Sequence, residues 1–262
     1  MLSAATAGAQ ERLLPPVFAV EGSLPVTYTD NADRNALKQS DSSFSPYLKL
    51  SLSGTLPADF RTSVYASAGY DRYTRLRDDD GAFAAVGGSV SRRWGHFSAG
   101  VSYEHAFNYD RFFAQPINTP NDFDVFLRYR HRPSDHLRIT PRISYGTRLG
   151  DAWSLERHTW NLKVDVEQQI VGRWWLVMTP RLRHYTFYGE DEGRRDLILS
   201  LSGGVRYEFN DDVSFTSAIG YEARGSNFAD KKYDAFTAGM SLDFSYTFDR
   251  LRWPRILNGD RS

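Results

Sequence analysis

Seven basic side chains in the middle of the chain share one phase of an alternating pattern, and together they could bind anions. They are Arg128, Arg130, Arg138, Arg142, Lys163, Arg181 and Arg183. A guanidinium group holds a carboxylate, phosphate or sulfate through two parallel hydrogen bonds, and rows of Arg and Lys make pores prefer anions. We therefore predict that these residues form a basic wall that binds substrate.

Carboxylates lie in the same phase and leave a second interpretation open. Five of them could neutralise the basic wall, namely Glu104, Asp122, Asp124, Asp165 and Glu167. In that case the arginines would fill and stiffen a packed interior, because a buried charge is tolerated only when it is paired. The pattern alone does not distinguish an anion path from a salt-bridged core.

Residues for other kinds of chemistry are sparse. Barrel-type lipases and acyltransferases need a His, a Ser and an orienting polar group, and the candidates here lack a third member: His105, His184 with Thr186, and His96 with Ser98. Since the chain has no cysteine, it has no disulfide framework and no Cys-based metal site. We expect no enzyme activity, no metal and no cofactor. With 32 basic and 32 acidic residues, no general attraction to nucleic acid is expected either.

The elements that carry these residues have the two-residue period of β-strands. Apolar and polar residues alternate through segments 122–132, 137–148, 159–167 and 236–248. Similar segments occur at 17–29, 44–54, 61–73, 83–94, 96–108, 173–187, 196–208 and 213–225. The chain is therefore predicted to be all-β, with about twelve strands. Pro46, Pro141 and Pro180 fall inside strands, and a bulge is expected near Pro180, where Tyr185 and Phe187 fall in phase with arginines.

Strand length and aromatic placement favour a membrane barrel over a soluble β-sandwich. Sandwich strands usually have about 5–6 residues, whereas these segments have about 10–14. Trp94, Phe97 and Trp174 lie at one predicted end of the apolar face and Phe123, Tyr145 and Trp160 at the other, as expected for rings at two lipid interfaces. The predicted fold is a transmembrane antiparallel up-and-down β-barrel.

The connections alternate between short and long, which predicts an orientation. In outer-membrane barrels the short turns are periplasmic and the long loops external. Both termini would then lie in the periplasm of a Gram-negative bacterium. Ala7-Gly8-Ala9 has the form of a signal-peptidase site. The predicted divisions are a signal-peptide remnant (1–9), the barrel (10–248) and a periplasmic tail (249–262).

The last strand carries a resemblance to known outer-membrane proteins. Gly239-Met-Ser-Leu-Asp-Phe244-Ser-Tyr246-Thr-Phe248 resembles their C-terminal β-signal, which implies recognition by the barrel-assembly machinery. Tyr28-Thr-Asp-Asn31 followed by Ser45-Pro46-Tyr47-Leu-Lys-Leu is similar to the opening of β-barrel porins encoded near polysaccharide-export genes.

The apolar face is expected to contact outer-membrane lipid and the charged long loops lipopolysaccharide, and the porin resemblance implies a partner in polysaccharide export or the periplasm. The function expected is a narrow porin or channel for anionic solutes or oligosaccharides. A non-conducting structural or export-complex barrel is the alternative.

Overall fold

The computed structural model describes residues 16–35, 38–150, 156–188 and 192–248. Fifteen strand segments lie in these ranges. They are β1 (Val17–Thr29), β2 (Asp41–Phe44), β3 (Tyr47–Leu56), β4 (Phe60–Tyr73), β5 (Gly81–Trp94), β6 (Phe97–Asp110), β7 (Gln115–Asn118), β8 (Asn121–Tyr129), β9 (His131–Ser134), β10 (Leu137–Leu149), β11 (Arg157–Val171), β12 (Trp174–Phe187), β13 (Arg195–Glu208), β14 (Val213–Ser226) and β15 (Tyr233–Phe248).

These segments form a closed antiparallel barrel of twelve strands within the described residues. Segments β2 and β3 are one strand broken at Ser45 and Pro46, and β7, β8 and β9 are one strand with two short breaks. Every strand pairs with the next one along the chain, and β1 pairs with β15 from Phe18↔Phe248 to Thr29↔Thr237 to close the cylinder. The predicted fold class and strand number are confirmed.

Alternation along each strand separates an outer face from the lumen. In β13, Leu197, Leu199 and Leu201 are 51%, 59% and 51% exposed on the outside. Their neighbours Asp196 and Ile198 are buried inside, at 0% and 2%. This is the two-face pattern of a strand whose apolar side meets lipid.

Aromatic rings pair across strands near both ends of the outer face. Near the short turns, Phe97 packs on Tyr129 with ring centroids 4.7 Å apart. Near the long loops, Tyr145 packs on Trp160 at 4.8 Å. The two predicted ring belts are therefore present, separated by aliphatic residues such as Val101 and Leu127.

The bulge predicted near Pro180 is wrong. Strands β11 and β12 keep one register on both sides of it, from Lys163↔Arg181 to Val166↔Met178. Only two pairs are missing from the hydrogen-bond ladder there, because Pro180 has no N–H to donate. The register shift lies instead near the turn, between Gln169 and Val171. Because the alternation never slips, Tyr185 and Phe187 point into the lumen, where they are 7% and 5% exposed.

The two ends of the barrel differ, and we call them the turn end and the loop end. At the turn end, short connections span 57–59, 95–96, 135–136, 172–173 and 209–212, with Gly95 and Gly172 at positive φ. At the loop end, longer connections span 30–40, 74–80, 150–156, 188–194 and 227–232. Strand β1 starts and β15 ends at the turn end. The predicted signal remnant 1–9 and tail 249–262 lie outside the described residues.

No helix in the described ranges is long and apolar enough to span a membrane.

Candidate functional site: a basic row in the lumen

Strand pairing brings four of the seven predicted basic residues into one row across the lumen wall. Arg128 lies directly opposite Arg142, Arg142 opposite Lys163, and Lys163 opposite Arg181. We call these four residues the basic row. Like charges that face each other across a sheet are destabilising. A row of four is therefore an arrangement that packing alone does not favour.

An aromatic ring that the sequence analysis missed supports the row. Phe126 is 8% exposed, and the guanidinium carbons of Arg142 and Arg128 lie 4.5 Å and 5.6 Å from its ring centroid. Such cation–π contacts hold a guanidinium in place without neutralising it. The signal was available, because Phe126 has the same phase as Asp124 and Arg128.

Most of the row lacks a carboxylate partner. Lys163 forms an ion pair with Asp165 at 2.9 Å. Arg181 donates from Nε to the amide oxygen of Asn161 at 2.6 Å, which leaves its charge uncompensated. The ion pairs found among the described residues include none made by Arg128, Arg142 or Arg181, and Nε of Arg142 is buried without a hydrogen-bond partner.

The other three predicted residues are placed differently. Arg138 pairs with Glu167 at 3.7 Å and lies over the Trp175 ring at 4.8 Å. Arg183 pairs with Glu222 at 2.5 Å. Arg130 stands at the turn end beside Arg128, lining the same cavity. The structure thus divides the predicted wall into ion-paired members and members that are free to meet a ligand.

The alternative of a salt-bridged interior is also represented in the lumen. Arg148 donates two hydrogen bonds to Asp122, at 2.7 Å and 2.6 Å. Arg206 pairs with Glu167 at 2.9 Å. Glu104 accepts a hydrogen bond from the hydroxyl of Tyr65 at 2.5 Å. Packed ion pairs and the basic row therefore coexist in different parts of one lumen.

The loop end carries a second arginine cluster that the sequence analysis missed. Asp196 is fully buried and binds Arg194 at 2.8 Å and Arg224 at 3.3 Å. The guanidinium carbon of Arg194 also lies 4.2 Å from the centroid of Phe187. These contacts fasten neighbouring strands where the barrel opens into its long loops. We assign this cluster a structural role, since the carboxylate of Asp196 is already paired with two arginines.

Three cavities lie in the lumen, and residues of the basic row line all three. The loop-side cavity has a volume of about 340 Å³ and is lined by Arg142, Arg181 and Asp122, among others. Toward the turn end lie cavities of about 530 Å³ and about 400 Å³. Arg142 lines both the first and the second of these spaces, and Arg128 lines both the second and the third. The row therefore stands where the loop side and the turn side of the lumen come together.

The histidine candidates make contacts of a structural kind. Nδ1 of His105 lies 3.0 Å from the amide oxygen of Asn121, which also accepts a hydrogen bond from Tyr103. His184 lies between Trp160 and Leu197 on neighbouring strands of the outer face. In the described part of the chain, no group of three or more acidic, His or Cys residues is placed to hold a metal.

Comparison with known proteins places this architecture among bacterial outer-membrane barrels. No protein-family model and no curated protein matches the chain in sequence. Among solved structures, an outer-membrane channel from Pseudomonas putida F1 aligns with a TM-score of 0.61 and 10% identity, covering 91% of this chain and 98% of that one. A bacterial polysaccharide outer membrane secretin aligns with a TM-score of 0.52 and 10% identity, covering 88% and 98%.

At such low identity the likeness concerns the fold alone. The chain has the fold of a bacterial outer-membrane β-barrel, as the C-terminal strand implied.

Proposed function

We propose that the barrel is a narrow outer-membrane pore whose basic row selects anionic solutes or acidic oligosaccharides. The observation that carries the proposal is the unbroken register Arg128–Arg142–Lys163–Arg181, three members of which lack an ion pair in the described part of the chain. In this proposal Arg130 extends the basic surface toward the turn end. Arg138 and Arg183 shape the lumen, because their charges are already compensated.

The unpaired cations of the basic row repel one another. Facing cations cost stability, and the low dielectric of the barrel wall strengthens their repulsion. An anion that enters the row relieves this repulsion and accepts the guanidinium hydrogen bonds. A weakly bound anion can also leave again, as conduction requires. The resemblance to a channel and to a polysaccharide secretin favours transport over catalysis, and we propose no enzyme activity.

Single-channel recording in planar bilayers tests the proposal. The purified barrel should conduct, and under a KCl gradient its reversal potential should have the sign of anion preference. Arg142→Gln should reduce that preference. The matched control is Arg72→Gln, which removes the same charge from an exposed residue that faces outward beside Phe44. Cation preference, or an equal effect of both variants, would contradict the proposal.

A second candidate is a non-conducting structural barrel, favoured by the ion pairs Arg183–Glu222 and Arg206–Glu167 and by the Phe126 ring between two arginines. Its test is the conductance of Phe126→Ala, which removes a ring that lines the cavity at the turn end. If neither the native barrel nor this variant conducts, the structural role is supported.

We further propose that both termini are periplasmic, so that the long loops meet lipopolysaccharide and the C-terminal strand meets the barrel-assembly machinery. Because the chain has no cysteine, a single introduced thiol reports orientation. Asp78→Cys in a long loop should react with a membrane-impermeant maleimide on intact cells. Asp211→Cys in a short turn should react only after the outer membrane is opened. The reverse labelling would invert the orientation.

A further inference from the structure

The turn-end cavity differs from the rest of the lumen in its charge. It has a volume of about 400 Å³ and is lined by four arginines, Arg61, Arg93, Arg128 and Arg130. Most of its remaining lining is Ser and Thr, and its described lining includes no carboxylate. Two of these arginines, Arg61 and Arg93, lie outside the basic wall predicted from sequence. We call this space the turn-end vestibule.

The other two cavities are not of this kind. Glu104, Asp122 and Asp124 line the loop-side cavity. Asp165 and Glu167 line the cavity of about 530 Å³. In both, carboxylates compensate part of the basic charge: three carboxylates face four arginines in the loop-side cavity, and two face three arginines and one lysine in the other. Of these three cavities, the vestibule is therefore the one whose described lining carries arginines and no carboxylate.

Around the vestibule wall, arginine side chains lie opposite serine side chains on neighbouring strands. Arg61 lies opposite Ser91, and Arg93 lies opposite Ser98. Ser98 in turn lies opposite Arg128. Three of the four arginines therefore have a hydroxyl on the adjacent strand. This arrangement supplies hydrogen-bond donors from several neighbouring strands to one cavity.

The donors are largely uncommitted. Arg93 uses Nε to donate to the carbonyl of Gly95 at 3.1 Å, which leaves both of its terminal nitrogens for other partners. Arg128 rests on Phe126 through a ring contact, which consumes no hydrogen. The ion pairs of the described residues involve none of these four arginines. Four positive charges that line one cavity favour an acceptor that carries more than one negative charge.

We propose that the turn-end vestibule binds a soluble phosphoryl oxyanion with at least two charges, such as a phosphate or diphosphate group. A carboxylate occupies a single guanidinium fork, whereas phosphoryl oxygens point in several directions and accept from guanidinium and hydroxyl donors together. The volume falls within the range of small-molecule sites, about 300–1,000 Å³. The vestibule deepens the anion pore proposed above, since it rests on that pore for a water-filled lumen.

Isothermal titration of the detergent-solubilised barrel with inorganic pyrophosphate tests this site without any need for conduction. We expect saturable binding that weakens as NaCl rises, because exposed charges are screened within about 10 Å at 0.1 M salt. Arg93→Gln should weaken binding measurably, and the double variant Arg61→Gln/Arg93→Gln should weaken it at least about tenfold, equivalent to about 1.4 kcal/mol. Acetate at the same concentration should not displace pyrophosphate.

The matched control is Arg92→Gln. Arg92 adjoins Arg93 on β5 but lies on the opposite face of the sheet, with its guanidinium carbon 5.5 Å from the centroid of Phe60. This variant changes net charge by the same amount as Arg93→Gln and should leave pyrophosphate affinity unchanged. Folding of all variants is checked by circular dichroism and by mobility on unheated gels.

The outcomes separate this proposal from the pore. No binding to the folded native barrel, or equal weakening by Arg92→Gln and Arg93→Gln, overturns the vestibule site. Displacement of pyrophosphate by equimolar acetate also overturns it, because the site would then be a general anion trap. Pyrophosphate binding by a barrel that does not conduct would refute the pore and leave the vestibule standing.

Discussion

Two arginines on the same strand allow a functional cation to be distinguished from a structural one. Arg142 and Arg148 both point into the lumen from β10 and both line the loop-side cavity. Arg148 is held by Asp122 through two hydrogen bonds. Arg142 faces Arg128 and Lys163 and has no ion pair in the described part of the chain. Replacing each by Gln should therefore have opposite effects on stability.

The magnitude for Arg142→Gln follows from its contacts. Two facing like charges each cost roughly 0.2–1 kcal/mol, and a buried donor without a partner costs about 1–3 kcal/mol. Against this, the contact with Phe126 at 4.5 Å stabilises by about 0.5–2 kcal/mol. At their midpoints these contributions leave a net gain of about 2 kcal/mol, so we expect the free energy of unfolding to rise by about that amount.

Arg148→Gln should instead lower the free energy of unfolding. It leaves the carboxylate of Asp122 in the lumen without its partner, and hydrogen bonds to charged groups contribute about 1.5–3 kcal/mol. The side chains of Arg148 and Asp122 are only 27% and 24% exposed, so solvent screening reduces this value only in part. We expect a loss of roughly 2 kcal/mol.

Urea unfolding in lipid vesicles, followed by tryptophan fluorescence, measures both changes. The midpoint should shift while the dependence on urea stays constant. In planar bilayers, anion preference should fall for Arg142→Gln. A loss of about 2 kcal/mol or more in Arg142→Gln would refute our reasoning, because it would show that this arginine holds the barrel together.

Three further predictions concern other parts of the barrel. Gly22→Ala should lower the free energy of unfolding by about 1–3 kcal/mol in a urea titration, because an added Cβ would collide with the Phe244 ring across the closing seam; an unchanged midpoint would mean that the ring moves freely. Asp196→Asn should lower it by about 3–5 kcal/mol, since the carboxylate is fully buried between Arg194 and Arg224; a smaller loss than that of Arg148→Gln would contradict its assignment. In the loop 74–80, burial and a hydrogen bond to Asp33 raise the pKa of Asp79 above its ordinary 3.8. The stabilisation from protonated Asp79 is present below pH 3.8 and is lost as pH rises through the raised pKa. Amide exchange of this loop, corrected for the intrinsic pH dependence of exchange, should therefore quicken over that window, and Asp79→Asn should flatten the profile.

The course of the strands could be predicted from sequence because alternation is a local property. Successive side chains point to opposite faces whatever the partner strand is. The segment 236–248, for example, lies within β15 (Tyr233–Phe248). Where the prediction failed, at Pro180, two aromatic residues in the arginine phase were interpreted as a register slip. They are lumen residues on which arginines stack: the guanidinium carbon of Arg157 lies 4.6 Å from the centroid of Tyr185, and that of Arg194 lies 4.2 Å from the centroid of Phe187.

The candidate site was predictable only as a set of residues. The sequence shows which arginines share the inner phase, and it shows that enough carboxylates accompany them to pair with many. It does not show that Arg183 meets Glu222, 39 residues away, at 2.5 Å. It also gives no indication that Arg61 and Arg93 lie in the same cavity as Arg128 and Arg130.

The sequence by itself determined the number of strands, the two faces and the excess of arginine on the inner face. Only the tertiary structure decided which of those arginines remain unpaired. The reason is that partner choice depends on the register between strands, which turn length and the stagger of the closed barrel set together. Moving one strand by two residues would leave each of its side chains on the same face of the sheet but opposite a different residue of the neighbouring strand. The basic row and the vestibule therefore exist only in the closed barrel.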